Sequence, residues 1–263
     1  MKNRVEEETA KDYINRLDKY LREIIITEPK QLANIFNSLE LKGQRVKFAK
    51  AVRNLLNFYV ETYGIDESQV IPYRKVVPIE KFESEGVKTV EDVDIIEAWN
   101  YFKRNLSDDL QLIFKLLVYT GLRLRHILRM LQTFNKANLV VVNKKVARYN
   151  ISYLSKGGKK AFWAYMPAKI VNELKPLYLT ENVVKKNINF ETSRGRKITP
   201  HVVRIWHDNF MARNRIEKDI RNFIQGRISG MKRDVEAGHY LDLLYRADEE
   251  YTRIVDKFPI RVR

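Results

Sequence analysis

The chain has no cysteine in its 263 residues and only four histidines. Disulfides, thiolate-bound zinc and cysteine nucleophiles are thereby excluded, and no structural metal site or cofactor is expected. Long apolar runs are also missing. The longest candidate, Leu110 to Tyr119, is interrupted by Lys115 and falls well short of the ~20 residues that cross a bilayer, so no membrane span is expected. Met1 to Lys11 is charged from the outset and lacks the apolar core of a signal peptide, which predicts a cytoplasmic protein. Negative charge is scarce: 33 acidic residues face 49 Lys and Arg, a net charge of +16 and an isoelectric point near 9.8. Such an excess repels itself in a compact chain unless a polyanion neutralises it, and nucleic acid is the commonest partner of that kind.

What is present suffices for packed cores. Apolar residues make up 44% of the chain, and its length allows two ordinary domains. The first part reads as helices. Tyr13, Leu17, Tyr20, Leu21 and Ile24 recur on one face, and Glu28-Pro29 opens a second segment through Leu32, Ile35, Phe36 and Leu39. A third helix follows Gly43, with Val52, Leu55, Leu56, Tyr59 and Val60 at helical spacing. Its other face carries Lys42, Arg45, Lys47, Lys50 and Arg53. Such a stripe is often only a solvated face; in a chain this basic it also fits a surface that tracks DNA phosphates.

Between Ile71 and Gly86 the periodicity lapses at Pro72, Pro78 and Gly86. The expected organisation is a helical domain over 1–75, a linker over 76–87 and a second domain over 88–263. In the second domain a helix is expected from Val90, capped by Thr89. Another, capped by Ser107-Asp108, ends at Thr120-Gly121, and a third starts directly after. The period then changes to two in Ala147, Tyr149, Ile151 and Tyr153, and again over Ala161 to Met166. That predicts a β-hairpin with Lys156 in its turn, preceded by a short strand at Leu139 to Val142. Beyond Pro167 the chain reads as helical to its end, with Thr199-Pro200 a strong helix start. The fold class is mainly α with a small antiparallel β-sheet.

Several short stretches could carry chemistry, each unremarkable alone. Tyr119-Thr120-Gly121-Leu122-Arg123 is a glycine turn that projects an arginine. Lys156 lies between the two alternating runs. His201-Val202-Val203-Arg204 places a proton donor and a cation at i and i+3 of one helix. Phe223-Ile224-Gln225-Gly226-Arg227 ends a helix at a glycine, and Gly238-His239-Tyr240 follows.

In this order the set resembles the tyrosine recombinases: an arginine in a TGLR turn, a lysine in a β-turn, HxxR on a helix, a GR or GH turn, and a tyrosine near the C-terminus. The chain is most similar to integrases of archaeal viruses and plasmids, on its FIQGR and HYL segments. The resemblance covers about residues 88–263, and the N-terminal helices are similar to that family's SAM-like core-binding domain. It implies a metal-independent DNA breaking and rejoining enzyme, active in integration or excision of a mobile element. Its partner would be double-stranded DNA attachment sites, gripped from opposite faces by the two domains, and it would act as a homotetramer in the synaptic complex. Arg123 and Arg204 would hold the scissile phosphate, Lys156 would protonate the leaving 5′-oxygen, and His201 would assist proton transfer. Arg227 would stand where relatives usually have histidine, and Tyr240 would attack to leave a 3′-phosphotyrosine.

Three departures bear on this. Relatives commonly have an acidic residue three positions after the first arginine, where this chain has His126. Arg227 replaces the usual histidine. The 13 residues from Arg227 to Tyr240 are more than in most relatives, which brings Tyr245 and Tyr251 into consideration. Tyr240 is preferred because it follows a glycine break, whereas Tyr245 fits an apolar face with Leu241, Leu244, Ile254 and Val255. Tyr251 remains its rival. Two other functions stay open at this point: a DNA-binding protein of the same fold without catalysis, and a relaxing enzyme of the type IB topoisomerase kind.

Overall fold

The computed structural model describes residues 5, 7–80, 89–154, 159–229 and 236–261. The chain forms two compact units, residues 1–86 and 87–263.

The first unit is built from helices α1 (Glu7–Leu21), α2 (Pro29–Ser38), α3 (Lys42–Tyr63) and α4 (Glu67–Lys75). Pro29 occupies the first turn of α2, where its missing N–H costs nothing, and the Gln31 side chain accepts hydrogen bonds from the Thr27 and Glu28 amides at 2.8 and 3.1 Å. The core gathers Leu32, Phe36, Leu39, Phe48, Ala49, Val52 and Val77. Burial in α3 is concentrated in its first half, at Val46, Phe48, Ala49, Ala51 and Val52. Leu55 and Leu56 are half-buried and Tyr59 is exposed. Burial is therefore centred a turn or more earlier than the spacing suggested. Pro72 does not break the chain: α4 runs through it to Lys75. Part of the expected linker also belongs to this unit. Val77 is completely buried, and Glu80 pairs with Arg45 at 2.9 Å.

In the second unit α5 (Asp92–Asn105), α6 (Asp108–Thr120) and α7 (Leu124–Gln132) lead into strands β1 (Leu139–Val141), β2 (Val146–Asn150), β3 (Lys159–Lys160) and β4 (Trp163–Pro167). They are followed by α8 (Glu181–Asn187), β5 (Phe190–Glu191), β6 (Lys197–Ile198), α9 (Pro200–Arg213), α10 (Lys218–Ile224), β7 (Ile228–Ser229) and α11 (Glu236–Ile254). Helix α6 is the centre of the core. From Leu112 to Thr120 every residue except Lys115 is at most 2% exposed, as expected of a helix apolar around nearly its whole circumference. It packs against α9 and β4. The cap of α5 is Glu91, not Thr89: its side chain and that of Asp94 bond reciprocally with the backbone of the first turn.

The main sheet is antiparallel in the order β1-β2-β4, with Tyr149 opposite Ala164 and Asn150 opposite Trp163. The two alternating runs are not joined by a simple hairpin. Strand β2 stops at Asn150, whose side chain accepts from the Ser152 amide at 2.9 Å and turns the chain into a short 3₁₀ helix, Ser152–Leu154. Strand β3 then pairs with β7, in a separate two-stranded sheet. Nor is the chain uniformly helical after Pro167. A 3₁₀ stretch, the β5–β6 hairpin and β7 intervene, each too short for its periodicity to be read.

Candidate active site

Two glycine turns face each other in the second unit. Helix α6 ends at Gly121, which has φ +57°; a Cβ there would lie 2.3 Å from Nδ1 of His207, so glycine is required by conformation and by space. Helix α10 ends ahead of Gly226, with φ +61°, where a Cβ would lie 2.4 Å from that of Ala161. The first turn makes Arg123 the N-cap of α7. The second places Arg227 just ahead of β7.

Arginines brace each turn against the other. Arg123 donates from Nη1 to the Gly226 carbonyl at 2.9 Å. Arg204, on α9 and 6% exposed, donates to the Gly121 carbonyl at 2.7 Å and to that of Gln225 at 2.9 Å. Arg227 pairs with Asp208 at 3.1 Å. Among the described residues neither Arg123 nor Arg204 has a carboxylate within ion-pairing distance. Burial, then the charges of Arg227 and Arg123, pull the pKa of Arg204 down to about 9; burial, then Arg125 and Arg227, lower that of Arg123. Carbonyl oxygens hold the guanidinium groups in place without cancelling their charge, which leaves a fixed positive locus suited to an anion.

Two histidines beneath this cluster are neutral. His207 is fully buried. It accepts at Nδ1 from the Gln225 amide nitrogen at 2.9 Å and donates from Nε2 to the Tyr119 carbonyl at 3.0 Å, while Gln225 also donates to the Arg204 carbonyl at 3.1 Å. Burial, with the charges of Arg204 and Arg227, takes its pKa to about 3. His126 is 5% exposed, and burial followed by Arg123, Arg125, Arg204 and Arg129 takes it to about 4. Three residues after Arg123 the chain therefore has a neutral imidazole, which adds no negative charge beside that arginine. Both histidines favour the fold fully above their ordinary value of 6.5, and this contribution is lost as pH falls from there toward 4 and 3. The slope is up to ~1.4 kcal/mol per pH unit for each histidine. Urea denaturation between pH 7 and 4.5 is expected to show this decline, and His126→Asn is expected to flatten it.

The other expected site residues are placed less uniformly. His201 is exposed in the first turn of α9, whereas Arg204, three residues on in the same helix, is buried. Lys156 lies outside the described residues; the strand that follows it, β3, pairs with β7 next to Arg227. Tyr240 lies in the early turns of α11, which continues through Gly238 without a break. Its hydroxyl accepts from Nε1 of Trp163 at 2.7 Å, and its ring packs on Phe162 and Phe223. Tyr245 is 64% exposed and Leu241 47%, so neither belongs to the apolar face, which runs through Leu243, Leu244, Ala247, Tyr251 and Ile254. Tyr251 is fully buried and donates to the Tyr119 carbonyl at 3.0 Å; desolvation, then Tyr119, raises its pKa well above the ordinary value.

Gln225, His207, Asp208 and Trp163 were not singled out from the sequence for these contacts. The spacing of Arg204, His207 and Asp208 on one helix was a usable signal. Among the described residues no group of three or more His, Asp or Glu could hold a metal ion, and no helix is long and apolar enough to cross a membrane.

On the basic stripe of the first unit, Lys47 and Lys50 are exposed. Arg45 is committed to Glu80 and to the Leu39 carbonyl at 3.0 Å, and Arg53 to the carbonyls of Val77 and Arg74 at 3.2 and 3.0 Å. Lys42 is exposed at the start of α3.

The helical frame with small antiparallel sheets matches the fold of solved site-specific recombinases. The XerH site-specific recombinase bound to difH substrate, in a pre-cleavage complex, matches with a TM-score of 0.55 at 13% identity, over 90% of this chain and 79% of that one. XerH in a post-cleavage complex with palindromic difH substrate matches with a TM-score of 0.57 at 12% identity, over the same shares of the two chains. No curated protein matches by sequence. The archaeal phage integrase family matches residues 87–257, and the chain belongs to that family.

Proposed function

We propose that this integrase is a site-specific recombinase that cuts and rejoins DNA through a 3′-phosphotyrosine, in the integration and excision of a mobile element. The observation that carries the reading is the pair Arg123 and Arg204, fixed on backbone carbonyls and, among the described residues, ion-paired to no carboxylate. A phosphodiester under attack gains negative charge, and preorganised guanidinium donors stabilise that charge without a metal.

In this reading Tyr240 loses its proton and its oxygen bonds to phosphorus. The bond to the 5′-oxygen breaks, and Lys156 supplies the proton that oxygen takes up. His201 assists proton transfer, and Arg227, steadied by Asp208, contributes charge beside the phosphate. Because the phosphotyrosine keeps the bond energy of the diester, a 5′-hydroxyl from another strand can reverse the step without ATP. The burial of Tyr251 supports Tyr240 in this role, since forming a phenolate inside an apolar core is strongly disfavoured. Double-stranded attachment sites are the partner, with a homotetramer assembled on two of them.

A nicked suicide substrate carrying an attachment site tests the proposal. A covalent adduct is expected in the presence of EDTA, and mass mapping is expected to place the DNA on the Tyr240 peptide. An obligatory Mg²⁺ requirement for cleavage would overturn the mechanism. Absence of any adduct would favour a DNA-binding protein without catalysis, and relaxation of plasmids lacking an attachment site would favour a topoisomerase.

The first unit is proposed to add phosphate contacts through its exposed Lys47 and Lys50. Arg45 and Arg53 are already engaged within the unit, so replacing them would report on folding. Lys47→Ala with Lys50→Ala is expected to reduce the slope of log K against log salt by about 0.9 per lost contact. A salt titration of DNA binding checks this, and an unchanged slope would leave these lysines as a solvated face.

A further inference from the structure

The Tyr240 hydroxyl has a partner with no role in the reaction described so far. The Trp163 indole, at the start of β4, donates to it from Nε1 at 2.7 Å. An indole N–H can only donate, so this bond occupies one lone pair of the phenol oxygen and leaves the phenol's own proton free to depart. The rings of Phe162 and Phe223, at 5.0 and 5.7 Å, confine the phenol from the side.

Trp163 is itself held in place. The Arg148 guanidinium lies 4.6 Å from the centroid of its indole, and a cation on that face draws electron density from the ring and strengthens the N–H as a donor. Arg148 forms an ion pair with Asp248, which also accepts from the Tyr165 hydroxyl at 2.8 Å. Asp248 and Tyr240 belong to the same helix, α11. They are eight residues apart, about two turns, and so share a face. The sheet thus grips that face twice: once at the nucleophile, and once through a half-buried ion pair that orients the residue touching it.

We infer that Trp163 is a positioning residue for cleavage: its indole N–H fixes the Tyr240 oxygen and stabilises the negative charge it acquires as its proton leaves. The inference rests on Tyr240 being the nucleophile. A neutral donor that meets a forming anion makes a stronger bond than it made to the neutral phenol, so the contact favours the reacting state over the resting one.

The test is single-turnover cleavage of the nicked suicide substrate by the full chain carrying Trp163→Phe. This variant keeps an aromatic ring beside Arg148 and removes the N–H. A second variant carries benzothienylalanine at 163, an indole isostere with sulfur in place of N–H, and preserves the shape if phenylalanine perturbs folding. Both are expected to bind DNA like the unaltered protein and to form the adduct roughly tenfold to a hundredfold more slowly at neutral pH, the usual worth of a hydrogen bond to a charged group. The deficit is expected to shrink as pH rises, a dependence that a packing defect alone would not give. Cleavage at the unaltered rate, or faster, with melting temperature unchanged would overturn the inference, faster cleavage meaning that Trp163 restrains the tyrosine. Tyr240→Phe run alongside separates the two claims: if it still forms adducts, the choice of nucleophile fails whatever the Trp163 variants do.

Discussion

Tyr240→Phe is expected to reduce covalent DNA adducts below detection while leaving DNA binding nearly unchanged. The substitution deletes one oxygen. The ring keeps its packing on Phe162 and Phe223, and the structural cost is the Trp163 N–H left without its acceptor, ~1 kcal/mol for a half-buried group. The paired control is Tyr251→Phe. It removes a bond to the Tyr119 carbonyl inside the core, so it is expected to lower stability by ~1 kcal/mol and to leave cleavage intact. Denaturing gels of trapped complexes read both outcomes directly. Adducts from Tyr240→Phe, together with none from a folded Tyr251→Phe, would transfer the role to Tyr251 and require α11 to rearrange on DNA.

The second large effect is expected at the arginines. Lysine keeps the charge of Arg123 or Arg204 but cannot bond a backbone carbonyl and a phosphate with one planar fork. Because the phosphorane carries more charge than the resting diester, the loss falls on rate more than on affinity. Arg123→Lys and Arg204→Lys are therefore expected to bind DNA almost normally and to cleave it on the order of a hundredfold to a thousandfold more slowly. Arg123 is the cleaner test, since it gives up a single carbonyl bond. Arg204 is buried and braces both turns, so its variant needs a melting curve beside the kinetics. Wild-type cleavage rates in both variants would remove these arginines from the proposed centre.

Much of this was legible in the sequence, and the parts that were not share physical causes. Gly121 and Gly226 advertise themselves because left-handed backbone and a crowded neighbour both demand glycine, and Thr199-Pro200 marks the start of α9 for equally local reasons. The β5–β6 hairpin and β7 were missed because strands of two residues have no period to detect. Gly238 looked like a break, yet α11 runs through it. At the site, spacing found the arginines but not their surroundings. Nothing in HVVR tells that Arg204 is buried while His201 is exposed, because a charged residue inside a basic helix looks like any surface residue until its carbonyl partners are known. Tyr240, Tyr245 and Tyr251 are chemically alike and only burial separates them. Trp163 and Gln225 act through contacts across 77 and 21 residues of chain, which no local pattern encodes.

The bracing of Arg123 and Arg204 on carbonyl oxygens also has consequences for the protein without DNA. Dipoles orient a guanidinium but do not discharge it, so the mutual repulsion among Arg123, Arg204 and Arg227 persists in the free fold and would be relieved by the proposed phosphate seated among them. Dissolved salt then acts with opposite signs on the two states: it screens the repulsion and raises the melting temperature of the free protein, while it competes for the same charges and loosens the complex. The integrase is in this sense a spring compressed by its own cations, which the proposed DNA substrate would release.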